Sequence, residues 1–146
     1  MTFCATVNAI IHAGGKPVLV DIDSNTWNID VNKLEKKINS KTKAIIPVHF
    51  AGRACDMDEI IKIAKQNNLK VIEDCAHAIE TVYKGRKAGT IGDIGVFSFY
   101  ATKNLAVGEG GMIISDDESL ISKLKISALH GMSKDAWSRF SDDGYK

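Results

Sequence analysis

Alternation is the feature that most constrains how this chain can fold. Short apolar runs rich in β-branched residues take turns with segments that are apolar at helical spacing. The runs "PVLVDI" (17–22), "KAIIPVHF" (43–50), "LKVIEDCAH" (69–77), "IGVFSF" (94–99) and "GMIISDD" (111–117) are too short for helices and read as strands. Between them lie "DVNKLEKKINSKT", which brings Val31, Leu34 and Ile38 onto one face, and "DMDEIIKIAKQNN". In the second of these, Asp56 suits an N-cap and Glu59 completes a capping-box pattern. A further helix-compatible segment precedes Gly14-Gly15, "YKGRKAGTIGD" reads as turns, and "ESLISKLKISALHG" reads as a closing helix. Strands alternating with helices predict βαβ units, hence an α/β fold with a mostly parallel sheet covered on both faces, a three-layer αβα sandwich.

Composition narrows the function classes. The chain has 146 residues, 45% apolar and 25% charged, with a net charge of +1 and its basic residues scattered among acidic ones. That argues for one globular domain and against nucleic acid as a partner. No apolar run approaches the roughly 18 residues that span a bilayer, and the N-terminus does not read as a signal peptide. Cys4, Cys55 and Cys75 fit no metal or redox spacing, and no metal site is expected. Small packing thiols in a reducing cytoplasm are the simplest reading, Cys75 included.

Ligands of open α/β sheets collect at the carboxyl ends of the strands. The residues just past each run are Asp21 and Asp23, then His49, then Glu73, Asp74 and His77, then Ser98, with Lys103 following. Lysine is poor material for the end of a buried strand, because its ammonium needs a partner. A lysine in such a place can form a Schiff base, and pyridoxal phosphate is the cofactor that most often uses one. That cofactor needs a carboxylate for its pyridine nitrogen, a role suited to Asp74, and phosphate donors, a role suited to Ser98 and the backbone around it. Taken singly, each residue has a plainer reading. Lys103 would be a solvated loop lysine, Asp74 a helix N-cap before "CAHAIE", Ser98 a strand residue, and His77 a hydrogen-bonded helix residue. His12 and His130 are assigned to structure or surface.

"VIEDCAHA", "GDIGVFSFYATKNLAVGEGGMIISDD", "KAIIPVHFAGRACDMDEI" and "TFCATVNAI" together resemble the DegT/DnrJ/EryC1/StrS sugar aminotransferases, pyridoxal-phosphate enzymes of fold type I. The Ser-x-x-x-x-Lys spacing followed by Gly-Glu-Gly-Gly is the most specific part of the match. The resemblance implies that Lys103 binds the cofactor covalently and, once released, shuttles a proton. It implies that Asp74 pairs with the pyridinium nitrogen, that His77 lies beside the ring near its phenolic oxygen, and that Ser98 binds the phosphate. Phe3 matches an aromatic that stacks on the pyridine face. His49 and Glu109 match the substrate pocket, Glu109 also shaping the turn after the lysine. Some relatives carry histidine in place of this lysine and act as dehydratases, so Lys103 favours amino transfer.

The implied reaction takes an amino group from glutamate to a nucleotide-linked keto-sugar, in a cytoplasmic enzyme whose full-length form is a homodimer. Full members of the family are more than twice as long. Residues 1–146 are therefore expected to be the central part of the large cofactor-binding domain, with the N-terminal segment and the C-terminal small domain absent. Two rival readings remain. One is an inactive remnant or interaction module that keeps the fold. The other is an unrelated nucleotide-binding α/β domain, which would want a GxGxxG or GxxxxGK[ST] loop after the first strand, and "PVLVDIDSNTW" offers neither.

Overall fold

The structure, a computed structural model, describes residues 1–128. The chain divides into two compact units, Met1–Asp116 and Asp117–Lys146. The second contributes helix α4 (Glu118–Ala128), which begins the closing helix expected from the sequence; the remainder of that segment, with His130, lies outside the described residues.

The first unit is built on a four-stranded sheet. Its strands are β1 (Ala44–Ile45), β2 (Lys70–Asp74), β5 (Ile94–Ser98) and β6 (Gly111–Ile114), in the order β1-β2-β5-β6. β1 and β5 run parallel to β2, and β6 is antiparallel to β5. The strand residues alternate as the pleat requires: Val71 and Glu73 of β2 and Gly95 and Phe97 of β5 are buried while their neighbours are not.

Helix α3 (Met57–Gln66) explains most of the core. Met57, Ile60, Ile63 and Ala64 recur at helical spacing and are all buried, joined by Leu34, Ile45, Cys55, Leu69, Val71 and Ile91. A smaller cluster holds Cys75, Ala78, Ala88 and Phe97. There Gly89 has φ +87°, and an added Cβ would stand 2.6 Å from the Phe97 ring, so both the backbone and the space require glycine.

Several expectations are corrected. "PVLVDI" forms no strand: Ile22 makes one isolated bridge to Ile29, and Val18 and Leu19 are 56% and 66% exposed. Pro17 has no N–H to give to a ladder, and no neighbouring strand among the described residues pairs with this run. "KAIIPVHF" contributes only two ladder residues before Pro47, yet the backbone pairing resumes beyond it, Asp74 N–H donating to the Pro47 carbonyl and His49 N–H to the Asp74 carbonyl. The amphipathic segment after Asp30 is one turn of α-helix, α2 (Val31–Leu34), tightening into a 3-10 turn at Glu35–Lys37. Its buried face is the expected one, with Leu34 in the core and Val31 and Ile38 against it.

The capping box does not form. Asp56 precedes α3, but its carboxylate accepts from the Tyr83 hydroxyl at 2.8 Å, while Glu59 pairs with Lys62. The turn-rich stretch contains a small hairpin, β3 (Val82–Tyr83) against antiparallel β4 (Arg86–Lys87), whose two turn residues Lys84 and Gly85 both have positive φ. A two-residue loop ending in glycine between short runs is the sequence signal for such a turn, and it was present in "VYKGRK".

Candidate active site

Asp74 ends β2 and Ser98 ends β5, on adjacent parallel strands. Asp74 stands opposite Val96, so Ser98 lies two residues, about 7 Å, further along the neighbouring strand. The chain then leaves β5 into a loop closed on itself: Phe99 N–H donates to Gly110 O at 2.8 Å and Val107 N–H to Phe99 O at 2.9 Å. Lys103 sits in this loop, in a tight turn held by its own N–H on the Tyr100 carbonyl. Gly108, at φ +89°, reverses the chain before Glu109, which is exposed in the turn.

The structure brings Lys103 and His77 together. Lys103 Nζ is 3.2 Å from His77 Nε2 in a part-buried setting. When the lysine is charged it donates to that nitrogen, which places the imidazole proton on Nδ1. His77 lies in the turn after β2, not in a helix, and its ring meets Phe50 edge-on at 6.3 Å. Phe50 in turn stacks on Trp27 at 6.2 Å. The sequence pattern alone marks neither aromatic. Phe50 is held by Asn28, buried, whose Oδ1 accepts from Phe50 N–H and whose Nδ2 donates to the Arg53 and Ala54 carbonyls.

Asp74 does not cap a helix. Its Oδ1 accepts from Ala76 N–H at 3.1 Å in a turn, and its Oδ2 accepts from the Thr6 hydroxyl at 2.8 Å. No lysine, arginine or histidine pairs with it among the described residues. Ser98 Oγ accepts from Tyr100 N–H at 3.4 Å, which leaves its own O–H to donate elsewhere. Phe3 directly precedes helix α1 (Cys4–His12) and is 70% exposed, its ring free to cover a ligand.

His49 is placed differently from the expectation that it lines the pocket. It is fully buried, and both ring nitrogens are engaged: Nδ1 accepts from Cys55 N–H at 3.1 Å, so Nε2 carries the proton and donates to Glu73 Oε2 at 2.9 Å. Glu73 also accepts from the N–H groups of Gly89, Ile91 and Gly92 at 2.9, 2.7 and 2.6 Å. Burial pushes the Glu73 carboxyl up, but the hydrogen bonds from His49, Gly92, Gly89 and Ile91 together outweigh it and hold the group below the usual carboxylate range. These two residues lock the strand end that bears Asp74. The donor atoms of His49, Glu73 and Cys75 also lie within 4.8 Å of one another, but the carboxylate is saturated by N–H donors and burial pushes the Cys75 thiol up, away from the thiolate a metal would need.

The donor set fits pyridoxal phosphate. Among the described residues, Asp74 offers a carboxylate with spare lone pairs and no cationic partner, which suits a protonated ring nitrogen, and Lys103 offers a half-buried amine whose partner is an imidazole, not a carboxylate.

The profile of the DegT/DnrJ/EryC1/StrS aminotransferase family matches residues 1–145. The spore coat polysaccharide biosynthesis protein SpsC of Bacillus subtilis is 56% identical over 144 residues, 99% of this chain and 37% of that protein. GDP-perosamine synthase of Escherichia coli O157:H7 is 48% identical over 123 residues, 84% of this chain and 34% of that one. Among solved structures, an aminotransferase from Psychrobacter cryohalolentis superposes with a TM-score of 0.90 at 41% identity, covering 99% of this chain and 37% of that one. Spr1654 from Streptococcus pneumoniae, in its PLP form, superposes with a TM-score of 0.82 at 37% identity, over 90% and 39% of the two chains. The chain thus spans little more than a third of the length of the relatives it matches. With the chain matched by the profile nearly end to end, on an α/β fold shared with solved aminotransferases, it belongs to the DegT/DnrJ/EryC1/StrS aminotransferase family.

Proposed function

We propose that this chain is the lysine- and aspartate-bearing part of a pyridoxal-phosphate enzyme that moves an amino group from glutamate to a nucleotide-linked keto-sugar. The observation that carries the reading is the pairing of Lys103 Nζ with His77 Nε2 at 3.2 Å, beside the strand end that presents Asp74. The similarity to GDP-perosamine synthase supports a sugar nucleotide as the acceptor.

Bound at this edge, pyridoxal phosphate supplies an electron sink for the charge left when a proton departs from carbon. Asp74 holds a positive charge at the ring nitrogen through its remaining lone pairs. Ser98 Oγ–H donates to the phosphate. Phe3 covers one ring face and keeps water from it. His77, through its contact with Lys103 Nζ, orients the amine. Lys103 Nζ, once unprotonated, would carry a proton from the donor's Cα to the cofactor's C4′, the general acid–base role worth roughly 10²–10⁴-fold. Glu109 borders the substrate side of the turn, and His49 serves from behind, holding Glu73.

The full-length enzyme is proposed to be a cytoplasmic homodimer. Separately, among the described residues no helix is long and apolar enough to cross a membrane. The test is to add glutamate to the protein supplied with pyridoxal phosphate, then a GDP- or TDP-linked 4-keto-sugar. Formation of 2-oxoglutarate in the first step and an amino-sugar nucleotide in the second is the expected result. Tight cofactor binding with neither product would leave the inactive-remnant reading standing instead.

A further inference from the structure

Thr6 is the residue that ties together two groups facing the proposed cofactor. Its hydroxyl donates to Asp74 Oδ2 at 2.8 Å across 68 positions of sequence, and its backbone N–H donates to the Phe3 carbonyl at 3.2 Å. No residue of helix α1 is buried, so this hydrogen bond is a specific tie where packing is partial. The other Asp74 oxygen is held from a different side, by Ala76 N–H. With one donor on each oxygen, the carboxylate cannot rotate about its Cβ–Cγ bond without breaking both hydrogen bonds. The turn that positions Phe3 is closed by the same residue that fixes the carboxylate.

We infer that Thr6 is a positioning residue for the cofactor ring: its hydroxyl sets the orientation of the Asp74 carboxylate toward the ring nitrogen, and its backbone registers Phe3 against the same ring. This rests on the cofactor reading proposed above. Removing the hydroxyl leaves Asp74 Oδ2 without its protein donor, so the carboxylate gains freedom that binding must then remove. The loss falls only on ligands that use the ring nitrogen.

The experiment compares dissociation constants of the protein for pyridoxal 5′-phosphate and for its 1-deaza analogue, which has carbon in place of the ring nitrogen. Thr6→Val matches the shape without the donor; Thr6→Ser keeps the donor. In the unaltered protein the natural cofactor is expected to bind more tightly than the analogue. In Thr6→Val this preference should fall roughly tenfold, the scale of one hydrogen bond to a charged group, and Thr6→Ser should restore most of it. A preference unchanged in Thr6→Val overturns the inference and leaves the cofactor reading intact. Equal weakening of both ligands also overturns it, since that is the mark of a helix merely displaced. An unaltered protein that binds neither ligand, or shows no preference, sinks the cofactor reading itself and the inference with it.

Discussion

Lys103 is defined by the partner it has and by the kind it lacks. Its Nζ meets an imidazole nitrogen, and no carboxylate pairs with it among the described residues. An amine so placed is not a stability element. Lys103→Met should change the unfolding free energy by no more than about 0.5 kcal/mol, the usual scale for a substitution outside core and networks, while lowering turnover by at least about a hundredfold. Chemical denaturation and an assay with glutamate would check the two halves. The cysteines make a second prediction at this scale. Burial pushes the Cys55 thiol up to about 12 and the Cys75 thiol up as well, and neighbouring acidic groups add to it at Cys75, whereas Cys4 is exposed. Thiolate, the reactive form, is then scarce at both buried sites near pH 8. Alkylation followed by peptide mapping should label Cys4 alone in the folded protein and all three after denaturation.

Among the elements, the strand end around Glu73 carries the sharpest consequence. Four donors converge on its two oxygens, two on each, so an amide cannot replace the carboxylate in either orientation without setting one N–H group against others. Glu73→Gln should destabilise the protein by about 3 kcal/mol, the scale for breaking a buried charged network. Because the folded carboxyl is held below its ordinary value of 4.5, its contribution is present above that value and is lost as pH falls through the lower, folded one. A plot of Tm against pH should therefore drop less steeply below pH 4.5 in the variant than in the unaltered protein.

The same elements show what a sequence can and cannot reveal. The alternation of runs predicted the α/β class and the strands β2 and β5 that end at Asp74 and Ser98, because these two apolar runs are long enough for periodicity to mark them. It misplaced "PVLVDI", whose apolar pattern is strand-like but whose ladder needs a neighbour that periodicity does not supply. It missed the Glu73–His49 lock because a buried carboxylate is distinguished by where its donors come from, here residues 16 to 19 positions on. Thr6 and Asp74, 68 positions apart, meet only through the fold.

At the scale of the molecule, several large apolar side chains are exposed among the described residues of a chain that spans about a third of its relatives' length. Val18 and Leu19 are exposed, and so are Met112 and Ile113 on β6, which ends the row of four strands. An unpaired edge with exposed apolar side chains invites association. Sedimentation of the purified 15.9 kDa chain should give an apparent mass that rises with concentration, and a charge placed by Ile113→Lys should hold it nearer the monomer. A mass independent of concentration would argue against association through this face.

The measurement that bears most directly on the site is reductive trapping. The protein is mixed with pyridoxal phosphate, reduced with borohydride, digested and mapped. The expected result is one stoichiometric adduct, on Lys103, lost in Lys103→Met and accompanied by an absorbance band that Asp74→Asn weakens. Adducts spread over the exposed lysines, with Lys103 labelled no more than its neighbours, would contradict the site described here.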